Sequence, residues 1–159
     1  MMQHMRQTFP KAAGSFAIGL GLFVGPAEAL SICTINLSTN GTMVVSPDLT
    51  TLGSKLLGGA PGLATITTSG ALCNHVGDFG CLAVSTIAPL SFSQAPGGAS
   101  SGTTFISSYS VDGGAESPAG LPQNVLNGNH TIQVNLVASK TASIFPAGNY
   151  RAQVTLLCE

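Results

Sequence analysis

Asn129-His130-Thr131-Ile132-Gln133-Val134-Asn135-Leu136-Val137-Ala138 is the stretch that decides the fold. Ile132, Val134 and Leu136 fall on one parity, and Thr131, Gln133 and Asn135 on the other. A period of two is the pattern of a strand with one face on a core and the other in water. Nowhere does the chain offer the rival pattern, apolar residues at i, i+3, i+4 and i+7 between helix caps. Residues 49–57 come closest, and Thr50, Thr51 and Gly53 are poor helix formers.

Runs of the same kind lie on both sides. Residues 149–158 place Tyr150, Ala152, Val154, Leu156 and Cys158 inward and Arg151, Gln153, Thr155 and Leu157 outward. Residues 31–37, 42–46, 63–69, 81–88, 90–94 and 103–111 read as further strands, bounded by Gly, Pro, Asn and Ser. Asn40-Gly41 is a tight-turn dipeptide between the first two, with residues 42–46 as the answering strand. Pro47-Asp48 stops the second run and Pro89 ends residues 81–88. Residues 95–102 (APGGASSG) predict a loop, and residues 112–124 an irregular segment. About seven or eight short strands predict an all-β sandwich of two antiparallel sheets. The antibody-type signature is absent, since the chain has no Trp.

Of the 159 residues 44% are hydrophobic and only 7% are charged. Average soluble domains are about one quarter charged. A net charge of −1 gives no basic footprint for nucleic acid and no charge run for an acidic membrane surface.

Residues 1–29 predict a secretory signal peptide. Arg6 and Lys11 precede the uncharged run AAGSFAIGLGLFV, residues 12–24, and Ala27-Glu28-Ala29 forms the small-residue cleavage end. The apolar run is shorter than the roughly 20 residues a spanning helix needs. A lipoprotein reading on Cys33 is rejected, because bulky Ile32 precedes that cysteine. Residues 30–159 are then one secreted domain with no membrane span. It carries three bases (Lys55, Lys140, Arg151) against five acids (Asp48, Asp78, Asp112, Glu116, Glu159). Its polar strand faces are Ser, Thr, Asn and Gln. Such faces are either simply solvated or, at an uncharged edge, open to pairing with other chains.

Four cysteines in an exported chain read as two disulfides. The simplest pairing is Cys33 with Cys158, closing first strand on last, and Cys73 with Cys81, closing a loop. Cys33 with Cys73 and Cys81 with Cys158 is the competing arrangement, and the sequence leaves both open. Cys73, His75, Asp78 and Cys81 are also metal-ligand types, but their spacing matches no paired C-x-x-C pattern. The preferred reading is a disulfide-closed loop with solvated His75 and Asp78, and no cofactor.

Catalytic signatures are missing: there is no G-x-S-x-G, H-E-x-x-H, P-loop or G-x-G-x-x-G. His75 and His130 each lie beside turns, and Glu116 and Glu159 make no glycosidase-like pair. Gly58-Gly59 and Gly97-Gly98 are turn glycines. The sequons at Asn36, Asn40 and Asn129 matter only in a host that glycosylates them.

The Cys-led opening strand Cys33-Thr34-Ile35-Asn36-Leu37 and the ending Pro146-Ala147-Gly148-Asn149-Tyr150-Arg151-Ala152-Gln153-Val154-Thr155-Leu156 carry a resemblance. The chain resembles bacterial spore coat protein U, the Csu-type pilins and related fimbrial-type secreted domains. The resemblance implies an immunoglobulin-like antiparallel β-sandwich closed by a strand after G-x-Y, here Gly148, Tyr150, Ala152, Val154 and Leu156. It implies a non-catalytic structural or adhesive role in the periplasm or at the cell surface. It also implies partners by strand addition: other pilin-like subunits, or a periplasmic chaperone and usher. Two features depart from the group. Only Leu30, Ser31 and Ile32 precede Cys33 in the expected mature chain, too few to donate a strand unless Cys33's own strand does so. The last strand ends Cys158-Glu159 rather than in an apolar or aromatic pair. Both suit a self-complete sandwich or a terminal subunit. The rival readings are a free-standing ligand-binding module and a small hydrolase or metal protein using His75 and Asp78.

Overall fold

The computed structural model describes residues 31–70, 73 and 81–159. The expected signal peptide, His75 and Asp78 lie outside the described residues. Ten strands follow in order: β1 (Ile32–Thr39), β2 (Val44–Val45), β3 (Thr51–Gly53), β4 (Gly62–Ser69), β5 (Leu82–Ile87), β6 (Thr103–Val111), β7 (Ser117–Pro118), β8 (Gln123–Val125), β9 (Gly128–Lys140) and β10 (Thr155–Cys158). There is no helix among the described residues, and the strands pair antiparallel. The all-β class is therefore the one the period of two predicts.

The deciding stretch lies in β9, which is the spine. One edge of β9 pairs with β6 from Ile132 to Lys140. The other edge pairs first with β4 and then with β3. β1 lies outside β4, β2 outside β3 and β7 outside β6, making a seven-stranded sheet. β10, β5 and β8, in that order, make a second sheet.

Alternation along β9 buries Ile132, Leu136 and Ala138 and leaves Val134 half-buried on the same parity. Ile132 packs with Ala64, Ile66 and Tyr109 of the larger sheet and with Val84 and Val125 of the smaller one. The two sheets thus share one core. Each aliphatic side chain fully buried there contributes about 1.5–3 kcal/mol. A second cluster gathers Leu52, Phe92, Ala99, Ala138 and Phe145. Its rings meet edge to face: Phe92 lies 4.8 Å from Phe105 and 5.1 Å from Tyr150 between centroids.

Four expectations need correction. Asn40-Gly41 does not fold β1 back onto residues 42–46: β1 pairs with β4, and β2 with β3. Gly41 instead runs against the start of β4, where an added Cβ would sit 2.6 Å from the Gly62 nitrogen. Only glycine permits that approach. Residues 90–94 form no strand, and only Gln94 makes a bridge, to Arg151. The irregular segment 112–124 contains β7 and the start of β8. Finally, the expected closing strand 149–158 is hydrogen-bonded as a strand only over β10. Pro89 accounts for the interruption: it has no N–H to give the ladder, and the register slips between the Ile87–Thr155 pair and the Gln94–Arg151 bridge.

Candidate functional site

Cys33 is disulfide-bonded to Cys158, and Cys73 to Cys81. The first bond staples β1 of the larger sheet to β10 of the smaller. Beyond the staple the two segments are not joined by a strand. β1 pairs with β4 along one edge, and no described strand pairs with its other edge. Its eight residues carry no charge, so nothing on this edge discourages a partner strand. Ile35 is 42% and Leu37 70% exposed, although both share the parity of core-facing Cys33.

Leu37 opens onto a groove. A hollow of about 320 Å³ is lined by Leu37 on one side and by Ala152, Val154 and Leu156 on the other, with buried Ala64 and Leu136 among its walls. It shares Asn40, Gly41, Met43, Ala152 and Gln153 with a larger cleft of about 1000 Å³. That cleft reaches Leu52, Phe145, Tyr150 and Arg151.

The closing-strand residues line these two hollows, Gly148 and Tyr150 the larger, Val154 and Leu156 the smaller and Ala152 both. Gly148 has φ 154°, and the Pro96 ring occupies the place a Cβ would take, so glycine is required there. Tyr150 rests against Phe92 and Phe145 and donates its hydroxyl to the Pro146 carbonyl. Burial pushes its phenol pKa up. Arg151 holds the chain to the loop after β5: its N–H donates to the Gln94 carbonyl at 2.8 Å, and its carbonyl accepts from Ser93 and Gln94. Ala152 and Val154 are half-buried, and Gln153 between them is exposed. The ladder resumes only at Thr155, opposite Ile87. The parity read from the sequence therefore holds along residues 150–156, while regular pairing does not.

Two polar constellations escaped the sequence reading. Asn135 is buried on the outward parity of β9, accepting from the Ser54 hydroxyl at 2.9 Å and donating to Glu116 at 2.9 Å. Glu116 also pairs with Lys55 and accepts from Ser108. The Lys55 ammonium first, then Ser108 and Asn135, outweigh desolvation and lower the Glu116 pKa. The second constellation joins His130 to Asp112 across 2.7 Å. Both bring together residues far apart in the chain, so no local motif announced them. No group of three or more His, Cys, Asp or Glu suited to a metal occurs among the described residues. No helix there is long and apolar enough to cross a membrane.

Comparisons with protein families, with curated proteins and with solved structures find no match for this chain. The two disulfides fit an oxidising, extracellular setting.

Proposed function

We propose that this chain is an exported, non-catalytic structural or adhesive protein of pilin-like kind. In this reading residues 1–29 are a cleaved signal peptide, and residues 30–159 form one immunoglobulin-like β-sandwich in the periplasm or at the cell surface. The observation that carries it is the open, uncharged edge of β1 beside an apolar groove that reaches the core. A partner's extended strand would supply main-chain hydrogen bonds to β1, and its alternate side chains would fill the groove beside Leu37 and Val154. The partner is another pilin-like subunit or a periplasmic chaperone delivering this one to an usher.

Surface extracts of cells expressing the protein test this reading. Heat-sensitive ladders that survive SDS are expected. A strictly monomeric product, released freely and indifferent to any chaperone, would overturn it. The larger cleft supports a second reading, a free-standing ligand-binding module. Asn40, Asn149, Arg151 and Gln153 give that cleft a polar lining beside the Tyr150 ring.

A further inference from the structure

The geometry points to a proton-fastened clamp: His130, as an imidazolium, ties the turn after β6 to the turn before β9 and releases them when it loses a proton. Its Nδ1 lies 2.7 Å from Asp112 Oδ2, and its Nε2 lies 2.8 Å from the Leu126 carbonyl oxygen. A carbonyl can only accept, so Nε2 carries a hydrogen. An ionised carboxylate also only accepts, so Nδ1 must carry one too. A ring held between two acceptors is satisfied only when doubly protonated. The neutral ring would set a lone pair against Asp112.

The two anchored positions have other ties as well, among them the Asp112 N–H, which donates to the Thr131 carbonyl at 2.8 Å. Asp112 sits at φ 51°, in the left-handed region that Asp enters more readily than most residues with a Cβ, and Gly113 follows at φ 71°. Besides the His130 bond, Asp112 Oδ1 accepts the Thr131 N–H at 2.7 Å. The Leu126 carbonyl also accepts the Thr68 hydroxyl. Asn127, the next residue, donates its amide to the Gly70 and Cys73 carbonyls at 2.6 and 3.1 Å.

No other described charge intrudes. β4 and β8 bring no charged or titratable side chain to His130. β6 brings Tyr109, whose hydroxyl is committed to the Val84 and Leu121 carbonyls. The segment after β6 brings Asp112 and Glu116, and Glu116 is committed to Lys55, Ser108 and Asn135. Burial alone would lower the His130 pKa, but the bonds to Asp112 and Leu126 and the charge of Asp112 together raise it above its ordinary value. The clamp is accordingly closed below that elevated pKa and opens as pH rises through it.

The test is an NMR titration of the mature protein with labelled histidine, the His130 signal being assigned by its loss in His130→Gln. A pKa above about 6.5 is expected, with both ring nitrogens protonated below it. Asp112→Asn should bring it back towards the ordinary value. Exchange of the Thr131 amide, compared at each pH with His130→Gln, should be about tenfold slower in the parent protein below the pKa and converge above it. A His130 pKa at or below 6.5, no response to Asp112→Asn, or an exchange ratio that does not change with pH would each overturn the clamp.

Discussion

Cys33, near the start of β1, is bonded to Cys158, the last residue of β10, so the first strand of one sheet and the last strand of the other leave from a single point. Past that point the sheets part, and Leu37 and Val154 line opposite sides of the groove between them.

Removing this bond should cost more than removing the other. In the chain-entropy account a link across 125 positions restrains the unfolded chain by about 5 kcal/mol, and one across 8 positions by about 2.6. Cys33→Ala with Cys158→Ala should therefore lose about twice the stability lost by Cys73→Ala with Cys81→Ala. Equilibrium urea unfolding of both double variants reads the difference, and equal losses would contradict it.

Tyr109 is fully buried between the sheets, its hydroxyl oxygen 2.7 Å from the Val84 carbonyl and 2.6 Å from that of Leu121. One proton serves two acceptors, one on β5 and one in the turn before β8. Desolvation raises the phenol pKa, so the group stays neutral. Tyr109→Phe keeps the ring and strands both carbonyls, so a loss of about 1–3 kcal/mol is expected in thermal unfolding. An unchanged melting temperature would show that neither bond matters.

How far the sequence could be read depends on whether a feature is local. Parity is local, so the strands containing Ile66, Ile132 and Val84, and the inward face Tyr150, Ala152, Val154 and Leu156, were legible from alternation. Chain order placed Cys33 and Cys158 on the first and last strands, where the structure joins them. Strand partnership is not local. Asn40-Gly41 carries the dipeptide of a hairpin, yet Gly41 is needed for its approach to Gly62. β8 was hidden because Gln123-Asn124-Val125 is too short to alternate visibly. The groove was equally hidden, because it exists only where Pro89 interrupts one ladder and β1 lacks a second neighbour. Asn135 reads as a solvated position until Ser54 and Glu116, distant in sequence, close over it.

Acid should weaken the fold through both polar constellations. The Glu116 pKa is lowered chiefly by Lys55, and the Asp112 pKa is lowered because His130 and the Thr131 N–H outweigh desolvation. The folded state then binds fewer protons than the unfolded one in this range. Stability from these groups is present above their ordinary pKa values and is lost as pH falls through the lowered ones. Lys55 and Glu116 are partly exposed, so solvent screens the pair and the share is small. Glu116→Gln should flatten the acid limb of a stability–pH curve measured by urea unfolding. A parallel curve displaced by a constant amount would assign Glu116 a packing role only.

Charge placed on the β1 edge should separate assembly from stability. Leu37 is 70% exposed, so Leu37→Lys removes little buried area and should change stability by less than about 0.5 kcal/mol. An incoming strand would have to bury that ammonium beside Val154 and Leu156 with no acid among the groove's lining residues, which is costly without a partner charge. Lysine is also a common protector of sheet edges against strand addition. The SDS-resistant ladders expected of the parent protein should therefore vanish in Leu37→Lys, while its melting temperature stays put. Leu57→Lys, in the turn between β3 and β4, fully exposed and lining neither the groove nor the larger cleft, is the control and should leave the ladders intact. Ladders that survive Leu37→Lys would place assembly elsewhere on the molecule and leave the β1 groove without that role.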